Sequence, residues 1–294
     1  MQTQRFPVTE GVELVADTWA PRIEPGATAA GLAATTATFV LVHGLASNAR
    51  MWDGVAARLA ERGHPAVTVD LRGHGRSSKP EGPYDVATVA DDVAALIGAM
   101  RLDRPVVAGQ SWGGNVVLEL AARHPAAARG IVCVDGGWLE PSAVFATWEE
   151  CQAVLAPPRL AGLHRSDIDA YIRGAHPDWP ETGIAGILAN FEVHPDGTIA
   201  PWLTFERHLA VLRGMWEHHP SRRYAGVDVP VLLVPAVGGD PEREAQKRAD
   251  VAQALERLPD GRVRWFTADH DIHAQHPDEL ADVMIDTFAA ESPA

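Results

Sequence analysis

Gly109-Gln110-Ser111-Trp112-Gly113 stands between the apolar run Arg104-Pro105-Val106-Val107-Ala108 and the helix-periodic segment Gly114-Asn115-Val116-Val117-Leu118-Glu119-Leu120-Ala121-Ala122-Arg123. A β-branched strand, a Gly-x-Ser-x-Gly turn and a helix, in that order, lift a serine hydroxyl above the edge of a sheet. Glycine is needed on both sides because the turn is strained and a side chain there would strike the neighbouring strand or helix. Ser111 is therefore the candidate nucleophile. A serine that merely caps a helix would leave the same short pattern, so the surrounding chain has to decide.

Upstream, two strands are expected over Arg5 to Glu10 and Val12 to Ala20, and the stretch from Pro25 to Val42 begins as a loop rich in Ala and Thr. Thr38-Phe39-Val40-Leu41-Val42 is a continuous apolar run ending in His43-Gly44-Leu45, as a buried parallel strand would read. A helix over Val55 to Arg62, a strand over His64 to Val69 and a helix over Val86 to Met100 follow. Downstream of the serine, Gly130 to Val134 is a strand that ends at Asp135-Gly136-Gly137. Strands that alternate with helices imply a parallel sheet with helices on both faces. Further on come a strand over Val229 to Pro235, a helix over Ala245 to Arg257, a last strand over Gly261 to Thr267 and a final helix over Pro277 to Ala289.

His-Gly closes one strand, Asp70-Leu71-Arg72-Gly73-His74-Gly75-Arg76-Ser77 follows the next, and the serine turn follows a third. This order resembles the α/β-hydrolase superfamily. The resemblance implies an α/β fold with a mostly parallel eight-stranded sheet flanked by helices and a helical cap inserted after strand six. Residues 1–138 and 226–294 would form the core and 139–225 the cap. That insertion carries four of the nine tryptophans, and a fifth, Trp138, stands immediately before it. Helices are expected over Trp148 to Leu155, Ser166 to Gly174 and Phe205 to Glu217, with a hairpin around Asp196-Gly197. Trp138, Trp148, Trp202 and Trp216 are candidate substrate-binding residues, although a small cap also needs large side chains to build its own core.

A serine hydroxyl is a poor nucleophile until an imidazole takes its proton, and thirteen histidines are available. His43 and His74 resemble the superfamily's structural histidines of the oxyanion loop and the following turn. His270, directly after the last strand and seven residues before Pro277, resembles its catalytic histidine, with His273 in reserve. His273 and His276 share that loop, but no cysteine accompanies them as in a metal site, and no metal is expected. For the orienting acid, Asp135 resembles the position used by some haloalkane dehalogenases and zearalenone-type lactonases. Asp240 lies nearer the superfamily's usual position but reads as a helix cap followed by Pro241 at the first helical position. Asp135 is favoured because a carboxylate on a sheet edge is held better than one in a Gly-Gly loop; Asp240 stays open. Asp271 reads as a loop residue. The oxyanion donors implied are the backbone N–H groups of Leu45 and Trp112, and the Trp112 side chain is expected to wall the pocket.

The composition limits the function further. A chain of 294 residues with 46% hydrophobic content buries one large core with room for a lid. Thirty-nine acidic against 25 basic residues leave a net charge of −14, which gives no electrostatic footprint for nucleic acid. No membrane span, export or lipid motif is read, so a cytoplasmic protein is expected. Two cysteines suit a reducing compartment. There is no dinucleotide fingerprint, and no cofactor is expected. The reading is a serine hydrolase that cleaves a carboxylic ester or lactone through an acyl-enzyme, on a bulky apolar or aromatic small molecule such as a resorcylic macrolactone, in a possible homodimer. Carbon–carbon hydrolysis of a diketone, or a non-catalytic ligand receptor on the same fold, are the alternatives.

Overall fold

The computed structural model describes residues 1–22 and 36–289. The loop expected from Pro25 onward therefore lies outside the described residues up to position 35. Strands β1 (Gln2–Thr9) and β2 (Val12–Trp19) pair antiparallel. They are followed by β3 (Phe39–Val42), β4 (Ala66–Asp70), β5 (Val106–Gln110) and β6 (Gly130–Val134). With β9 (Val231–Val234) and β11 (Gly261–Val263) these form an eight-stranded sheet in the order β1-β2-β4-β3-β5-β6-β9-β11. β2 also pairs antiparallel with β4, and from β4 onward every pairing in the sheet is parallel.

The apolar runs make central strands because both faces are covered. Successive side chains of a strand point to opposite faces. Val40 and Val42 accordingly join one buried cluster and Phe39 and Leu41 the other. In β6, Ile131 and Cys133 join the first cluster, and Val132 and Val134 the second. The first cluster packs under α2 (Val86–Ala99) and α3 (Trp112–Arg123), the second under α1 (Asp53–Glu61) and α11 (Pro277–Phe288), which follows the short α10 (Ile272–Gln275).

The last strand, expected to be continuous, is broken. β11 pairs with β9, whereas β12 (Phe266–Thr267) pairs with β10 (Ala236–Val237). Pro235 lies between β9 and β10, and proline has no N–H to give to the ladder.

Between β6 and β9 the chain forms α4 (Pro141–Val144), α5 (Trp148–Leu155), α6 (Arg165–Ala175) and α7 (Glu181–Leu188). The hairpin of β7 (Phe191–Val193) and β8 (Ile199–Pro201) follows, then α8 (Phe205–Glu217). Part of this insertion has its own core: Ile168, Ile172, Trp179, Ile184, Leu188 and Ile199 pack together with Met51 and Ala274 from the body of the fold. No described helix is long and apolar enough to cross a membrane.

Candidate active site

Ser111 sits between β5 and α3 with φ +54° and ψ −122°, and its side chain makes no capping hydrogen bond. A non-glycine residue at positive φ is costly and persists only where its surroundings hold it. The holding contacts are visible: the Ser111 N–H donates to Val134 O at 2.8 Å and Gly114 N–H donates to Ser111 O at 2.9 Å. A Cβ on Gly113 would fall 2.5 Å from His43 O, and one on Gly136 would fall 2.0 Å from Ser111 O. Close approach at these two glycines brings the loops after β3 and β6 against the serine turn.

Asp135 caps the end of β6 at φ +40° and is 3% exposed. Its carboxylate accepts from His270 Nδ1–H at 2.6 Å, from Ala236 N–H at 3.0 Å and from Lys247 Nζ at 2.7 and 2.9 Å. Withdrawal from water alone would raise its pKa; the His270 and Lys247 bonds and charges outweigh this and hold it below the usual carboxylate value. His270 reaches over from the loop after β12, and its carbonyl accepts from Gln110 Nε2 at 3.3 Å. Loss of solvent would lower its pKa, but the Asp135 bond and the charges of Asp271 and Asp135 leave it raised. An imidazole that donates Nδ1–H to a carboxylate keeps Nε2 for proton transfer.

Asp240, the other candidate acid, is elsewhere. It is the N-cap of α9 (Pro241–Arg257), where its carboxylate accepts from Glu242 N–H at 2.9 Å and Arg243 N–H at 3.1 Å. Asp271 makes no contact that would orient His270 by hydrogen bonding; its effect there is one of charge.

Of the other buried histidines, His43, His74 and His273 belong to the loops that surround the site, and burial favours the neutral ring in each. His43 donates Nδ1–H to Gly44 O at 2.7 Å and accepts Leu71 N–H on Nε2 at 3.0 Å, so both nitrogens are used and burial lowers its pKa to about 4. His74 donates to Arg72 O at 2.9 Å and accepts Ala46 N–H at 3.4 Å, tying the Asp70–Ser77 turn to the loop after Leu45. His273 is fully buried against Trp52 at 4.5 Å between ring centroids, and neither ring nitrogen has a hydrogen-bond partner among the described residues. Burial lowers its pKa to about 3, so it stands apart from His270 in environment although they share a loop.

Between pH 6.5 and about 3 the unfolded chain binds a proton at position 273 that the folded chain refuses. Stability is therefore complete above pH 6.5 and falls as the pH drops. His273→Leu is expected to flatten the dependence of unfolding free energy on pH between 6.5 and 4 by about 1 kcal/mol per pH unit. Urea titrations at several pH values check this; an unchanged slope would count against the burial of a neutral ring.

The tryptophans divide. A cleft of about 470 Å³ opens between the insertion and the loop after β3. Its walls come from Ala46 and Ser47 on one side and from 157–161, Asn190, Phe191 and 200–206 on the other, with His208. Trp202 lines it and carries Lys79 Nζ 5.1 Å from its ring centroid. The other three expected there do not. Trp138 is 6% exposed inside the main core, and Trp148 and Trp216 pack edge to face at 6.4 Å beside it. These rings supply the apolar mass that seats the insertion on the sheet. Trp112 is fully buried and stacks on His74 at 5.6 Å, so its side chain packs beneath the site instead of walling a pocket. Its backbone N–H, first in α3, has no partner within the helix, and the loop carrying Leu45 lies against the serine turn, where a Cβ on Gly44 would be 3.1 Å from Ser111 Cβ. Lys247 is the site residue that the sequence reading missed.

The sequence model of the alpha/beta hydrolase family matches residues 39–283. The chain belongs to this family. Among related hydrolases, a 2-(acetamidomethylene)succinate hydrolase from Mesorhizobium japonicum is 30% identical over 199 residues, covering 65% of this chain and 67% of that protein. Among solved structures, an E-2-(acetamidomethylene)succinate hydrolase superposes with a TM-score of 0.76 at 21% identity, covering 98% of this hydrolase and 99% of that chain. An enol-lactonase from Burkholderia xenovorans superposes with a TM-score of 0.66 at 19% identity over 97% and 98%. At these identities the structural likeness is one of fold.

Proposed function

We propose that this hydrolase cleaves a carboxylic ester or lactone through an acyl-enzyme. The observation that carries the reading is the 2.6 Å bond from His270 Nδ1 to the buried Asp135 carboxylate beside a serine held at positive φ. Ser111 Oγ attacks the carbonyl while His270 Nε2 takes its proton; the N–H groups of Trp112 and Leu45 receive the oxyanion; His270 then protonates the leaving alkoxide. Water, activated by the same imidazole, releases the acid.

The segment 139–225 acts as the cap in this reading, and the cleft beneath it is where a bulky substrate would lie. Pro157, Pro158, Leu160, Phe191, Trp202, Leu203 and Phe205 give the cleft mostly apolar walls, as suits an aromatic ester or a macrolactone such as a resorcylic one. A second reading is supported by the relative that is 30% identical: the same residues would hydrolyse an acetamido-bearing dicarboxylate, with Arg159 in the cleft wall as the cation facing it.

Turnover of p-nitrophenyl esters, an aromatic macrolactone and an acetamidomethylene dicarboxylate separates these readings. Preference for the first two is the expected result, with Trp202→Ala raising KM for the bulky esters about tenfold through loss of buried aromatic area. Preference for the dicarboxylate supports the second reading. No turnover of any of them, with no labelling of Ser111 by a fluorophosphonate, would overturn both.

A further inference from the structure

Asp135 has two cationic or potentially cationic partners, which the proton relay alone does not require. Lys247 Nζ lies 2.7 and 2.9 Å from the two carboxylate oxygens and also donates to Ala236 O at 2.9 Å. Its side chain is 26% exposed, and that of Asp135 is 4% exposed. The ammonium is therefore fixed by three acceptors at the buried end of a long side chain, a placement that costs rotamer entropy. Lys247 projects from the second turn of α9, the helix that Asp240 caps. The element after β9 thus sends a cation, and no carboxylate, to the acid at the end of β6.

We propose that Lys247 is a positioning residue for the Ser111–His270–Asp135 relay: it fixes the Asp135 carboxylate in place against His270 Nδ1 and takes up part of the charge that the carboxylate presents to the imidazole. The inference rests on the triad reading above.

The physical argument is one of charge balance. A buried carboxylate in contact with an imidazole stabilises the imidazolium, which helps once the ring has taken the serine proton but also raises the pH needed to have it free beforehand. Around His270 the charges facing it are Asp135 on β6, Asp271 on its own loop and Lys247 on α9. Asp269 and His176 face Asp271, and the neutral His273 lies below. Glu244, one turn before Lys247, is engaged by Arg248 Nε at 3.0 Å and by Gly238 N–H at 3.2 Å. Lys247 is the cation in this set that opposes protonation of His270. Its charge acts across the carboxylate at a separation where a unit charge moves a pKa by about one unit.

The test compares wild type with Lys247→Gln, which keeps an N–H donor without the charge, and Lys247→Arg, which keeps the charge. The readouts are the pH profile of kcat/KM for a p-nitrophenyl ester and the NMR titration of the His270 ring. In Lys247→Gln the acidic limb and the ring titration are expected to move upward by about one pH unit. The rate on that limb then falls about tenfold, whereas Lys247→Arg stays near wild type. A structural role would lower the plateau of both variants and leave the limb in place; an unmoved or downward-moving limb overturns the inference. If Lys247→Gln does not fold, Lys247→Met is read in the same way. The NMR titration stands without turnover, so an inactive wild type would defeat the triad reading and still decide whether Lys247 sets the basicity of His270.

Discussion

Ser111→Ala is expected to lower kcat for ester hydrolysis by on the order of 10⁶-fold and to abolish fluorophosphonate labelling. The fold is expected to survive, because the Ser111 side chain makes no capping bond and the turn is held by backbone contacts and glycines. Alanine inherits the same positive φ, so the strain is unchanged. Active-site titration with thermal unfolding alongside checks both halves. Residual turnover above about one thousandth of wild type, with the labelling site moved to another serine, would remove Ser111 from the mechanism.

Asp135→Asn is the second large effect, a loss of about 10⁴-fold in kcat with the histidine still in place. Asparagine presents an amide N–H₂ to His270 Nδ1 as readily as it presents an oxygen. With the amide donating, Nδ1 must accept, the proton moves to Nε2, and the ring can no longer take the serine proton. The substitution also strips the partner from Lys247, which sits on both carboxylate oxygens, so some loss of stability accompanies it. Asp240→Asn is the matched control. Asparagine caps a helix about as well as aspartate, and kcat/KM is expected to stay within about twofold. Equal losses in the two variants would mean that the 2.6 Å contact with His270 is not the orienting bond.

What the sequence showed and what it hid divide along physical lines. The apolar runs of β3, β5, β6 and β9 were legible because strands buried on both faces must be apolar at every position. Asp240 was legible as a cap because Asp-Pro followed by acids states a helix start in local terms. The helix Glu181–Leu188 escaped: it is one short segment with two glycines, and its partners Met51 and Ala274 lie far away in sequence. Trp202 lines the cleft whereas Trp138, Trp148 and Trp216 pack in or against the core, a division the sequence hid because bulk and apolarity serve a core and a pocket equally well. Lys247 gave no signal at all. It is one of many charged residues in Pro241–Arg257, and only the three-dimensional approach of α9 to β6 distinguishes it from the solvated arginines around it.

The small core of the insertion takes in Ala274, four residues after His270. The same face is pinned by Gln275 Nε2 donating to Asp178 at 2.9 Å and Trp179 Nε1 donating to Asp269 at 3.4 Å. The insertion and the loop that carries His270 are thus tied together on that side: moving the α6–α7 half of the insertion would pull on the imidazole that is bonded to Asp135. The opposite margin, where Pro157–Leu160 and Trp202–Phe205 face Ala46 and Ser47, is the side of the apolar cleft in which the proposed substrate would lie. If the proposed hydrolysis holds, a substrate would come and go past the loop that carries Ala46 and Ser47, with the bond between His270 and Asp135 kept intact throughout.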